Sequence, residues 1–183
     1  KFIRYAVWSW APFLLQTHYG LKGDAAGFAS TAFDVAGIAG VLALGFCSDR
    51  FFSGRRVALS LGFIGLMGAG CLMLYFMGGQ SIAMFTVAIA LIGFGLYGPD
   101  AILTSAGAAD VGSRRGAGLA AGIMNGMGSV GSVAQEIIFG KVLAGGAEKN
   151  IDIVFGTLVA SAVASAICLM VVYVRSRRAH AEL

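Results

Sequence analysis

Val57-Ala-Leu-Ser-Leu-Gly-Phe-Ile-Gly-Leu-Met-Gly-Ala-Gly-Cys-Leu-Met-Leu-Tyr-Phe-Met-Gly78 carries no charge over its whole length. A helix needs about 20 apolar residues to cross roughly 30 Å of hydrocarbon. Working outward, four further runs near 25–48, 81–108, 114–144 and 152–174 are also long and apolar enough to cross, with few charges in each. A shorter run, Tyr5 to about Tyr19, precedes them and is too short to span. It begins close to Lys1 rather than Met, with no signal-peptide pattern. These features predict a sixth helix, near 1–19, whose start is missing, and hence a fragment.

Composition agrees with a bilayer as solvent. Of 183 residues, 58% are hydrophobic and 12% charged, against about 25% charged in soluble domains. The mean hydropathy is +0.84. A soluble domain of this size cannot hide that much apolar surface, and disorder requires the opposite balance. Glycine, at 28 residues, suits closely packed membrane helices. Cys47, Cys71 and Cys168 stand singly in apolar runs, which reads as reduced thiols.

The connections are short, so one all-α membrane domain is expected. Alternate connections fall on opposite sides. One side receives Arg50, Arg55, Arg56, Arg114, Arg115, Arg175, Arg177 and Arg178, the other Lys22, Lys141 and Lys149. The positive-inside rule then puts the arginine side and the C-terminus in the cytoplasm. The net charge of +4 needs no nucleic-acid partner.

In the loop Gly45-Phe-Cys-Ser-Asp-Arg-Phe-Phe-Ser-Gly-Arg-Arg56, two readings stand side by side. Asp49 can face a helix N-terminus while Arg50, Arg55 and Arg56 meet headgroups, forming a cytoplasmic gate. Alternatively, the loop is a basic turn that sets topology. It resembles the G-x-x-x-D-R-x-G-R-R loop of the major facilitator superfamily, with two extra residues between Arg50 and Gly54. That resemblance implies twelve helices in two halves, of which this chain is one. Arg4-Tyr-Ala-Val-Trp-Ser-Trp-Ala-Pro12, Phe33-Asp-Val-Ala-Gly-Ile-Ala-Gly40, Tyr97-Gly-Pro-Asp100 and the glycine-rich run Gly116–Gly131 are similar to the seventh, eighth, tenth and eleventh helices of organophosphate:phosphate antiporters. The C-terminal half is implied, with the N-terminal half absent.

Charges in hydrocarbon are costly and default to function. At about 1.5 Å per residue, Arg4 lies about 22 Å, and Asp34 about 14 Å, below one boundary, so both are expected in the middle of the bilayer with a gap that a long arginine side chain could close. A guanidinium offers paired donors that match two phosphate oxygens; the competing reading of Arg4 is a helix-end anchor. The resemblance makes Arg4 a phosphate ligand beside another arginine from the absent half, and Asp34 a charge-balancing partner of a basic residue there. Where that family often has an acid five residues after the arginine, this chain has Ser9. Pro99 should kink its helix, with Tyr97 either donating to phosphate or packing, and Asp100 placed nearer the cytoplasm as a gate or interface carboxylate. Gly118, Gly122 and Gly126 share one helix face, expected to admit a neighbouring backbone. Asn125 either reaches substrate or bonds between helices. Glu136 falls near the outer interface, where Lys141 can neutralise it. Trp8 and Trp10 either line the cavity or pack.

No nucleophile–histidine–acid set, ATP loop or metal cluster is visible, so neither an enzyme nor a cofactor is expected. The expected function is exchange of a phosphate ester (glycerol phosphate, hexose phosphate or phosphoglycerate) for inorganic phosphate by alternating access. The resemblance implies a bacterial inner membrane. Two alternatives remain: a proton-coupled sugar or drug facilitator using Asp34 or Glu136, and a non-transporting phosphate-ester sensor.

Overall fold

A computed structural model describes residues 1–51, 56–111 and 116–179. In chain order the helices are α1 (Phe2–Tyr19), α2 (Gly23–Phe51), α3 (Arg56–Met77), α4 (Ile82–Val111), α5 (Ala117–Ala144) and α6 (Ala147–Ala179). Among the described residues the fold is all-α. Arg55, Arg114, Arg115 and His180 lie outside them, as do the side chains of Arg56, Asp110, Arg177 and Arg178.

Short turns reverse the chain. At the end of α1, Gly20 adopts φ 65°, a left-handed cap available to glycine at little cost. Its N–H returns to the Gln16 carbonyl, and that of Leu21 to Leu15. Between α3 and α4 the Ser81 hydroxyl accepts the Met84 N–H at 3.2 Å, satisfying an otherwise orphaned donor of the new helix. His18 pairs with the Gly79 carbonyl at 3.3 Å, so α1 ends beside this turn. After α5, Asn150 donates to the Val142 carbonyl at 2.8 Å and ties the last turn to α6.

Among the described residues, four helices, α2, α3, α4 and α6, are long and apolar enough to cross a membrane. The sequence predicts five, and α5 is the difference. Its 28 residues suffice in length, but Asn125, Ser129, Ser132, Gln135 and Glu136 dilute its apolar character. In the other direction, α6 exceeds its apolar run of 152–174 by five residues at each end.

At the centre stands α4. Its Phe85, Ala88, Ile89 and Ile92 join Met67, Cys71 and Leu74 of α3 and Phe155 and Leu158 of α6 in the buried core. On its other flank α4 meets α2 with no side chain between the backbones. A Cβ at Gly40 would strike the Phe94 carbonyl, one at Gly93 the Phe33 carbonyl, and one at Gly37 the Tyr97 ring. Gly95 faces Phe63 and Met67 of α3 in the same way. Lipid tails are as apolar as leucine, so such close van der Waals contact is what favours helix association.

The glycine stripe of α5 behaves otherwise. A Cβ at Gly118, Gly122 or Gly126 would meet nothing within 4 Å, so the expected close approach is absent from this fold. Gln135, Phe139 and Leu143 form the buried face of α5. Gln135 follows Gly126 by nine residues, half a revolution at 3.6 residues per turn. The stripe thus points away from the bundle. Leu119, Met127 and Val130 on α5 are likewise exposed, as are Phe28, Val35 and Leu42 on α2.

Candidate functional site

The site begins at the start of α1, with Lys1 just before its first turn and Arg4 within it. Lys1 and Arg4 are three apart, a spacing that puts both on one helix face. With α2, α4 and α5 they enclose a cavity of about 490 Å³, whose polar lining includes Asp34, Tyr97, Asp100, Thr104 and Asn125. A smaller cavity of about 130 Å³ lies between Arg4, Tyr5, Trp8, Asp34 and Tyr97. Five of the predicted site residues, Arg4, Asp34, Tyr97, Asp100 and Asn125, therefore meet on one space, with Trp8, 61% exposed, at its edge.

Arg4 Nη1 lies 2.9 Å from Asp100 Oδ2 in a hydrogen-bonded ion pair. Its guanidinium carbon sits 4.2 Å over the centre of the Tyr97 ring, a cation–π placement. Tyr97 donates its hydroxyl to Asp34 Oδ1 at 2.5 Å. Lys1 Nζ donates to Asn125 Oδ1 at 2.5 Å, joining α1 to α5, and its stem fills the room left by Gly128. Each charge thus has a named partner, which is what burial away from water requires.

This arrangement departs from the depth estimate. Arg4 takes Asp100 as its carboxylate, and Asp34 is held by Tyr97 instead. Asp100, expected nearer the cytoplasm as a gate or interface group, stands against the arginine. The reason is rotational. Rise per residue gives height alone, whereas the glycine contacts of α2 and α4 turn both Asp34 and Tyr97 to one side and bring Asp100 one turn below. Pro99 is accommodated inside a continuous α4, and Thr104 Oγ1 caps the Asp100 carbonyl at 2.6 Å. The Arg4–Asp100 pair also borders a second cavity of about 320 Å³ on its far side, lined by Ile64, Met67, Leu96, Leu103 and Leu169. Lys1, Arg4 and Asp100 line both spaces.

Other predicted residues lie elsewhere. Asp49 and Arg50 are exposed at the end of α2, 15 residues or about 22 Å along the helix from Asp34. Glu136 and Lys141 are both exposed and make no ion pair; among the described residues that pair is Arg4–Asp100. Five residues on a helix subtend 140°, so the two point apart. Trp10 is packed edge-on to Phe13 with its ring N–H buried and unpartnered. Sequence reasoning missed Lys1 and Thr104. The signal for Lys1 was available in its spacing to Arg4; nothing in the sequence marks Thr104. Among the described residues no group of histidine, cysteine, aspartate and glutamate could hold a metal ion.

A protein-family model described as Major Facilitator Superfamily matches residues 2–183. Among curated proteins, the glycerol-3-phosphate transporter of Bacillus subtilis is 31% identical over 133 residues, covering 73% of this chain and 30% of that protein. Putative glycerol-3-phosphate transporter 5 of Arabidopsis thaliana is 31% identical over 154 residues, covering 78% and 31%. Sugar phosphate exchanger 3 of Homo sapiens is 30% identical over 146 residues, covering 75% and 29%. The chain therefore spans about 30% of the length of these relatives.

Proposed function

The chain belongs to the major facilitator superfamily, and from that premise we propose that it is the C-terminal six-helix half of a transporter exchanging a phosphate ester for inorganic phosphate. Membership makes it an integral, multi-pass membrane protein of a transporter family rather than of an enzyme family. The ester is of the kind named for its relatives, a glycerol phosphate or a sugar phosphate.

The observation that carries this reading is the guanidinium of Arg4 in a polar cavity between α1, α2, α4 and α5, in a chain otherwise poor in charge. Its planar, paired donors fit two phosphate oxygens, and Lys1 supplies a second cation nearby. The apolar outer faces of α2 and α5, with Phe28 and Met127 82% and 73% exposed, flank this cavity and would seat the other half. A phosphate held between Arg4 and a basic group of that half draws the two together, and rocking about the bound anion moves it across. The empty carrier lacks that bridge, so exchange needs no ATP. The arginine-rich helix ends face the cytoplasm, in a bacterial inner membrane.

The test is counterflow of radiolabelled phosphate in proteoliposomes containing the full-length protein. Exchange that requires phosphate or its ester on both sides supports the reading. Two carboxylates in the cavity, Asp34 and Asp100, favour the rival in which protons drive uptake; pH-driven transport indifferent to phosphate would establish it. Binding without flux would identify a sensor.

A further inference from the structure

We infer that Asp100 is an internal competitor of the transported anion: in the empty site its carboxylate occupies the place on Arg4 that a phosphate oxygen takes. This rests on the phosphate reading above and adds a residue that sets affinity.

Three contacts carry it. The Arg4–Asp100 bond joins one guanidinium nitrogen to one carboxylate oxygen, leaving the two-pronged geometry of a tight arginine–carboxylate pair unused. The side chains are 37% and 22% exposed, open enough for an anion to reach and too open for the bond to be strong. Tyr97 meanwhile holds both neighbours: its ring lies under the guanidinium and its hydroxyl engages Asp34. Tyr97 is thus a positioning residue that keeps the second carboxylate off Arg4. One acid is free to exchange and the other is restrained.

Charge arithmetic points the same way. Lys1, Arg4, Asp34 and Asp100 surround the cavity, two cations against two carboxylates, so the empty site is neutral as it stands. A phosphate monoester carries −1.5 to −2 near pH 7. A neutral cluster offers it no net attraction; in place of Asp100 on Arg4 it gains a bare guanidinium. Lys1 borders the same space and is placed to receive the displaced carboxylate. The empty half therefore keeps its arginine satisfied internally, and only an incoming anion exposes that cation to the opposing half.

The experiment measures phosphate affinity and exchange rate of full-length protein in proteoliposomes, for wild type and for Asp100→Asn and Asp100→Ser. Removing the competitor should tighten phosphate binding about 1.5- to fivefold, the scale of a partly exposed ion pair, while slowing maximal exchange because release is slower. Two substitutions are used so that misfolding of one leaves the other. A carboxylate that merely orients Arg4 gives the opposite sign, and weaker or unchanged binding in a folded variant overturns the inference alone. A wild type that binds neither phosphate nor its esters overturns the phosphate reading, and this inference with it.

Discussion

Gly40 of α2 lies against the carbonyl of Phe94 in α4 with no room for a single carbon between them. One turn away the relation is reversed, Gly93 of α4 lying against the carbonyl of Phe33. Neither obstacle is a flexible side chain that could swing aside. Gly40→Val should therefore cost about 3 kcal/mol or more, the upper end of overpacking in a core, read as a lower melting temperature in detergent. Gly122→Ala meets open space and should leave the melt unchanged; if it lowers exchange without lowering the melt, the α5 stripe contacts the other half.

Arg4→Lys keeps the charge and loses the paired donors. Loss of one charge-assisted hydrogen bond should reduce phosphate exchange about 10- to 100-fold. Normal exchange by this variant would end the bidentate role.

Tyr97→Phe preserves the ring beneath the guanidinium and deletes the donor to Asp34. The freed carboxylate then competes for Arg4, so the KM for phosphate should rise about threefold to tenfold. The double variant Tyr97→Phe/Asp34→Asn should recover wild-type KM, since the second competitor is gone. Failure of that rescue would show that the hydroxyl acts on substrate directly.

Gln135 is fully buried on α5, and both polar atoms of its amide lack a partner among the described residues. Such groups cost about 1–3 kcal/mol each. Gln135→Met, similar in shape and apolar, should raise the melting temperature by about 2–4 °C per kcal/mol recovered. A lower melt would mean that the amide is hydrogen-bonded in the assembled transporter.

Apolar runs marked all six helices, five of them at the length a bilayer requires. They understated α6 because a helix satisfies its own backbone and continues past the apolar boundary through Asp152 at one end and Arg175 at the other. Arg4 and Asp34 were legible as candidate site residues because each is an ionisable group within an apolar helix. The Arg4–Asp100 pair was not, since 96 residues separate its members and their rotation about the helix axes follows from packing. The glycines make the same point. The regular stripe at 118, 122 and 126 faces outward, while the irregular set at 37, 40, 93 and 95 brings helices together. Periodicity tells which residues share a side but not which side turns inward.

Because α2 and α4 meet backbone to backbone, Asp34, Tyr97 and Asp100 are mounted on a single stiff frame. Arg4 belongs to α1, whose contacts with that frame run through side chains such as Tyr19 against Phe85. Side chains yield where stacked peptide planes cannot. In the proposed exchange the backbone of that frame stays still: Asp100 leaves Arg4 by turning its own side chain, and any larger adjustment falls to α1.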